Sequence, residues 1–181
     1  MIVDWLIREK IVHESDRELY SFAIDNLFFQ GVPFCIGIIS GLVCTCFFET
    51  ILFEIIFLEL RSAAGGYHMK SKRLCLISSS LILAGCGYLI SIGFDSWILF
   101  YQIVASGFIA LTSPVKNENK ELTEGEIVQQ RNKSIAIVVL SFIMSLGLIQ
   151  FSFEKFANAS SLAVVLTGIT HVPVLCRKTR A

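Results

Sequence analysis

Residues 61–75 read RSAAGGYHMKSKRLC, and their types and order could support nucleophilic chemistry at a thiol. Cys75 follows Ser71, Lys72 and Arg73 and stands at the start of an apolar run. If Ser71 caps a helix there, Cys75 falls in the first turn. The positive end of the helix dipole and the adjacent cations then favour a thiolate. His68 stands seven residues earlier. On one continuous helix the two residues would share a face but lie about 10 Å apart along the axis. A general base must come within about 3 Å of its nucleophile's proton, or within one water of it. A His68–Cys75 dyad therefore requires a bend. Gly65–Gly66 supplies one, because glycine adopts backbone conformations closed to other residues.

The ordinary reading of the same stretch is a basic turn between two apolar segments, and one Cys–His pair at arbitrary spacing is a weak signal. Residue types alone leave both readings open. A tetrahedral metal site built on His68 and Cys75 would be two ligands short. His171 and Cys176 could complete it in principle, but nothing local requires that, so neither a metal nor another cofactor is expected. Cys35, Cys44, Cys46 and Cys86 lie inside apolar runs, where cysteine packs as a small hydrophobe. Cys176, at the end of the last run, is read the same way.

The surroundings explain where such a cluster would sit. The chain has 181 residues, 54% hydrophobic and only 17% charged, with a mean hydropathy of +0.69. Soluble domains carry about 25% charged residues. The formal net charge is zero, which suggests no nucleic-acid partner. Five runs lack Asp, Glu, Lys and Arg: residues 27–48, 74–94, 96–115, 134–153 and 157–176. Crossing the hydrocarbon core takes about 20 mostly apolar residues. In lipid the backbone must satisfy its own hydrogen bonds, so the runs are predicted as helices. The expected fold is all-α: a polytopic membrane protein of about six embedded helices in the lipid bilayer, read as a single domain over residues 1–181. Residues 1–26 form a cytoplasmic or interfacial N-terminal segment, and no cleavable signal peptide is visible in them.

Cations set the orientation. Arg61, Lys70, Lys72 and Arg73 form one group, Lys116, Lys120, Arg131 and Lys133 a second, and Arg177, Lys178 and Arg180 a third. The turns between them are nearly bare, so the last four helices form two hairpins with the cation-rich ends inside. Residues 27–60 are too long for one crossing, at about 51 Å as a single helix. Two shorter helices broken near Gly41 are expected, as a hairpin or re-entrant pair, which keeps the N-terminus inside. Within that stretch Glu49, Glu54 and Glu59 are candidate intramembrane acids. Glu49 and Glu54 could equally sit at the outer interface or pair with a base. In the polar connection 114–133, Thr123 and Glu126 have capping-box spacing, which predicts a helix start there.

Arg61, Gly65–Gly66, Tyr67, His68 and Cys75 together resemble the signature of the accessory gene regulator B (AgrB-like) family, integral-membrane cysteine endopeptidases of Gram-positive quorum sensing. The similarity extends to the charged N-terminal segment, the two later hairpins, and a polar loop that opens Ser113–Pro114–Val115 and contains Asn119–Lys120. That loop departs from the family's Lys-Pro-Leu by reading Lys120–Glu121–Leu122. The resemblance implies that Cys75 is the nucleophile and His68 its base, with Arg61 and Gly66 at positions tied to activity. The implied substrate is a small precursor peptide with an amphipathic leader, a signal segment and an acidic tail. Cleavage would leave a thioester on Cys75, and an internal Cys or Ser of the peptide would take the acyl group to close a thiolactone or lactone. Lys70, Lys72 and Arg73 would attract the acidic tail, or serve topology alone, or both. Arg61 could hold Glu59, an intramembrane acid or the substrate. A homodimer is a further implication.

Two rivals make different demands. A non-enzymatic transport or partner-binding module predicts that Cys75→Ser is silent. A thiol-redox protein using Cys44 and Cys46 predicts loss on substituting either and tolerance at His68.

Overall fold

A computed structural model describes residues 2–65, 71–94, 97–114 and 123–178, with side chains omitted for Asn26, Lys72 and residues 174–178. Among the described residues the fold is all-helical. In chain order the helices are α1 (Ile2–Arg8), α2 (Arg17–Val43), α3 (Phe47–Ala64), α4 (Lys72–Ile92), α5 (Trp97–Thr112), α6 (Glu124–Gln150) and α7 (Glu154–Lys178). A short 3-10 turn, Glu14–Asp16, leads into α2. The stretch Glu14–Val43, together with Arg73–Ile92 and Glu124–Gln150, is long and apolar enough to cross a membrane.

Burial runs opposite to that of a water-soluble protein. Leu111 is 82% exposed and Leu27 76%, whereas Gln102, Ser134, Thr167 and His171 are wholly buried. Large apolar side chains facing out and polar ones facing in fit a molecule whose solvent is hydrocarbon. The interior polar groups join helices. Ser161 donates to Gln102 Oε1 at 2.8 Å, and Ser160 donates to the Ser141 carbonyl at 3.2 Å. These bonds tie α7 to α5 and α6 where apolar contact gives no selective attraction over lipid. The apolar core gathers Phe53 and Phe57 of α3, Leu83, Cys86 and Ile90 of α4, and Ala159, Leu162 and Ala163 of α7.

The stretch expected to break does so, a little later than the sequence suggests. The turn falls at Cys44–Cys46, and Gly41 stays inside α2. Its role is close approach: a Cβ at Gly41 would sit 2.5 Å from Thr50 Oγ1 of α3, and one at Gly37 would sit 1.9 Å from Glu54 Oε1. On the other side of α2, Ser40 donates to the Ala84 carbonyl of α4 at 2.8 Å. A stripe of small residues thus lets α2 nest against both neighbours.

Two ends emerge. At one, Cys46 beyond α2 donates its S–H to the Gly87 carbonyl of α4 at 3.3 Å, and Gly93 beyond α4 lies beside Asn158 of α7. At the other, the ends of α3 and α5 meet α6 through Glu59–Lys133 and Ser113–Ser134, and His171 of α7 reaches Gly65. Arg61, Gly65, Ser71 and Cys75 belong to the second end.

Candidate functional site

α3 stops because Gly65 takes φ +82°, a conformation that a side chain would oppose. Its N–H still closes the helix on the Arg61 carbonyl at 3.0 Å. The chain then leaves toward Ser71, and α4 begins at Lys72. Gly66, His68 and Lys70 lie outside the described residues, as does the side chain of Lys72. The bend expected of Gly65–Gly66 is therefore met at Gly65 in the described backbone.

Ser71 occupies the N-cap of α4, but its side chain makes no capping bond. Cys75 is half-buried in the first turn of the helix, as its spacing from Ser71 predicts, and its N–H bonds the Ser71 carbonyl at 3.0 Å. Arg73 is exposed. Arg61, in the last turn of α3, is half-buried, with its guanidinium carbon 5.8 Å from the centre of the Phe57 ring. Its charge is within electrostatic reach of both Cys75 and His171. Thus Arg61, Gly65 and Cys75 gather at one end of the bundle.

The three acids of α3 part company. Glu59, exposed, pairs with Lys133 of α6 at 2.8 Å. Glu49 is half-buried in the first turn of α3, at the opposite end from Cys75. Glu54 is wholly buried, and neither carboxyl oxygen has a hydrogen-bond partner among the described residues. It packs against Gly37, at helix mid-length and well away from Cys75.

Of the other cysteines, Cys46 and Cys86 fit packing roles, Cys44 is half-buried and Cys35 is exposed. Cys46 is buried and bonded to the Gly87 carbonyl, with Thr50 Oγ1 3.6 Å from its sulfur. Cys86 belongs to the apolar core. Both are free thiols, as are Cys35 and Cys44. The side chain of Cys176 lies outside the described residues. No group of three or more His, Cys, Asp or Glu converges as a metal site among the described residues.

Of the connection 114–133, the described part is Pro114 and the start of α6 from Thr123. Thr123 caps α6: its side chain accepts from the Glu126 N–H at 3.4 Å, and its own N–H donates to Glu126 Oε2 at 2.9 Å. This is the reciprocal box that the spacing predicts. Ser113, after α5, donates to Ser134 Oγ of α6 at 2.9 Å. Lys116 and Lys120 lie outside the described residues.

One residue was read from sequence only as a distant metal ligand. His171 of α7 is wholly buried. Its Nε2 lies 3.0 Å from the Gly65 carbonyl oxygen. A carbonyl only accepts, so Nε2 carries the proton. Nδ1 lies 3.3 Å from Thr112 Oγ1 of α5. The available signal was an ionisable residue inside the charge-free run 157–176, which marks a functional candidate by itself.

Comparison with known proteins gives two matches. The family model described as Accessory gene regulator B matches residues 1–171. Protein FsrB of Enterococcus faecalis (strain ATCC 47077 / OG1RF) is 22% identical over 185 residues, covering 96% of this chain and 74% of that protein. No solved structure matches.

Proposed function

Because the chain belongs to the accessory gene regulator B family, which serves quorum-sensing peptide maturation, we propose that it is a membrane-embedded cysteine endopeptidase with Cys75 as nucleophile and His68 as general base. The single observation that most supports this reading is the position of Cys75. It is half-buried at the first turn of α4, with Arg61 of α3 in electrostatic reach of its sulfur. A cation there favours the oxyanion that forms when sulfur attacks a carbonyl.

In this reading α2–α7 are all embedded, and the Cys75 end faces the cytoplasm. His68 takes the thiol proton, and sulfur attacks the peptide bond that joins the signal segment to its tail. The C–N bond breaks, the protonated imidazole returns its proton to the leaving amine, and the tail departs. The signal segment remains as a thioester on Cys75. An internal Cys or Ser of the peptide then attacks the thioester carbonyl, releasing Cys75 and closing a thiolactone or lactone. The apolar surroundings limit water, and so favour ring closure over hydrolysis. Arg73, with Lys70 and Lys72, draws an acidic tail toward the site.

Co-expression with the cognate precursor peptide tests the proposal. The intact chain is expected to release the tail and to carry a peptide adduct on Cys75. Cys75→Ala is expected to lose both, and His68→Ala to lose most tail release. Undiminished tail release in both variants overturns the proposal.

A further inference from the structure

The peptidase loop begins at Gly65, and the structure bonds that residue's carbonyl across the bundle. His171 Nε2–H donates to it from α7 at 3.0 Å, while Thr112 of α5 meets the opposite ring nitrogen at 3.3 Å. The ends of α3 and α5 therefore meet on one imidazole of α7 that is wholly buried. Thr112 is itself held by a 2.7 Å bond to the Phe108 carbonyl. Around it, Leu60 and Ala64 of α3, Ile109 of α5, Val138 of α6 and Val164 of α7 form a separate apolar cluster.

We propose that His171 is a positioning residue for the peptidase reaction, holding the Gly65 carbonyl so that the loop carrying His68 starts from a fixed point. The inference rests on the reading of His68 and Cys75 as the reacting pair. His68 is three residues beyond Gly65, and three residues of chain reach at most about 11 Å. Wherever Gly65 sits, the Cα of His68 must lie within that radius, so the anchor limits where its imidazole can be delivered. A misplacement of about 1 Å at a reacting pair can lower a rate about a hundredfold. Gly65 has no side chain of its own to brace it, and its N–H is already committed to the Arg61 carbonyl. Its carbonyl is thus the handle that remains, and His171 occupies it.

The test uses the full-length chain in lipid nanodiscs, comparing wild type, His171→Leu and His171→Gln. A glutamine amide keeps an N–H donor, whereas leucine keeps only bulk. Tail release is expected to fall at least about tenfold in kcat for His171→Leu, with KM unchanged, in line with loss of a buried hydrogen bond. His171→Gln is expected to recover most of that loss. Amide exchange over residues 66–71 is expected to quicken in the leucine variant and not in the glutamine variant. Should His171→Leu fail to assemble, His171→Phe carries the same comparison, since it keeps a ring and removes the Nε2–H donor. Wild-type exchange over 66–71 in the donor-less variants overturns the anchor whatever the activity. So does an equal fall in kcat for leucine and glutamine. A wild-type chain that makes no Cys75-dependent product defeats the peptidase reading alone, and the exchange measurement still decides the anchor.

Discussion

The two helix ends that flank residues 66–70 are held very differently. On the α3 side, Leu60, Ala63 and Ala64 are buried, the Gly65 carbonyl is bonded to His171, and Glu59 is paired with Lys133. On the α4 side, Ser71 caps without a side-chain bond, Arg73 and Leu74 are exposed, and Cys75 is half-buried. α4 enters the core only further along, at Leu83, Cys86 and Ile90. The difference suggests a division of labour. In the proposed reaction, a base delivered from a braced segment can be aimed, while a nucleophile on a lightly packed first turn stays open to a peptide. Packing density and access oppose each other, and the loop separates them into two helices.

The largest expected effect tests the open side. A small, water-soluble maleimide applied to the intact protein in lipid is expected to modify Cys75 at least about tenfold faster than Cys46 or Cys86, because thiol reactivity follows exposure as well as thiolate content. The latter two are buried, Cys46 with a bond to Gly87 and Cys86 in the core. Mass mapping of the labelled cysteines reads the result. Protection of Cys75 equal to that of Cys86 would break the contrast between the two loop ends.

Much of this arrangement was legible in the sequence, and the reason differs from feature to feature. The Thr123–Glu126 box is local chemistry between residues three apart, so spacing suffices. The turn between α2 and α3 follows from a run too long for one crossing, although its place at Cys44–Cys46 depends on what Gly41 touches. The glycine at the end of α3 and the cysteine in the first turn of α4 were likewise set by near neighbours. What could not be read were partnerships across the bundle. Glu59 finds Lys133 on α6, and Gly65 finds His171, which is 106 residues away. Neither spacing nor composition encodes such a pairing, because helix packing decides it. Ser71 fails in the opposite sense: the residue type invited a side-chain cap, yet the position is filled without one.

The next effect concerns Glu54, which the braced helix buries without a hydrogen-bond partner among the described residues. An unpaired buried polar group costs about 1–3 kcal/mol. Glu54→Leu is therefore expected to raise the stability of the detergent-solubilised protein by about that amount, leaving tail release intact. Thermal unfolding and the tail-release assay together decide it. A stabilised but inactive variant would move Glu54 from packing into the machinery, and the braced side of the loop would then extend to the middle of α3.

The smallest effect sharpens the comparison most, because it sets two caps of similar residue type against each other. Thr123 accepts the Glu126 N–H and completes a reciprocal box, whereas the Ser71 side chain makes no capping bond. Loss of a working cap costs about 1 kcal/mol. Thr123→Ala is accordingly expected to lower stability by about that much and to quicken amide exchange over the first turn of α6. Ser71→Ala is expected to change stability by a few tenths of a kcal/mol at most, the scale of a surface substitution that removes no specific contact, on the order of 0.5 kcal/mol or less. An equal loss at both positions would mean that Ser71 does brace the start of α4. The nucleophile would then be held as firmly as the base, and the asymmetry between the loop's two ends would be lost.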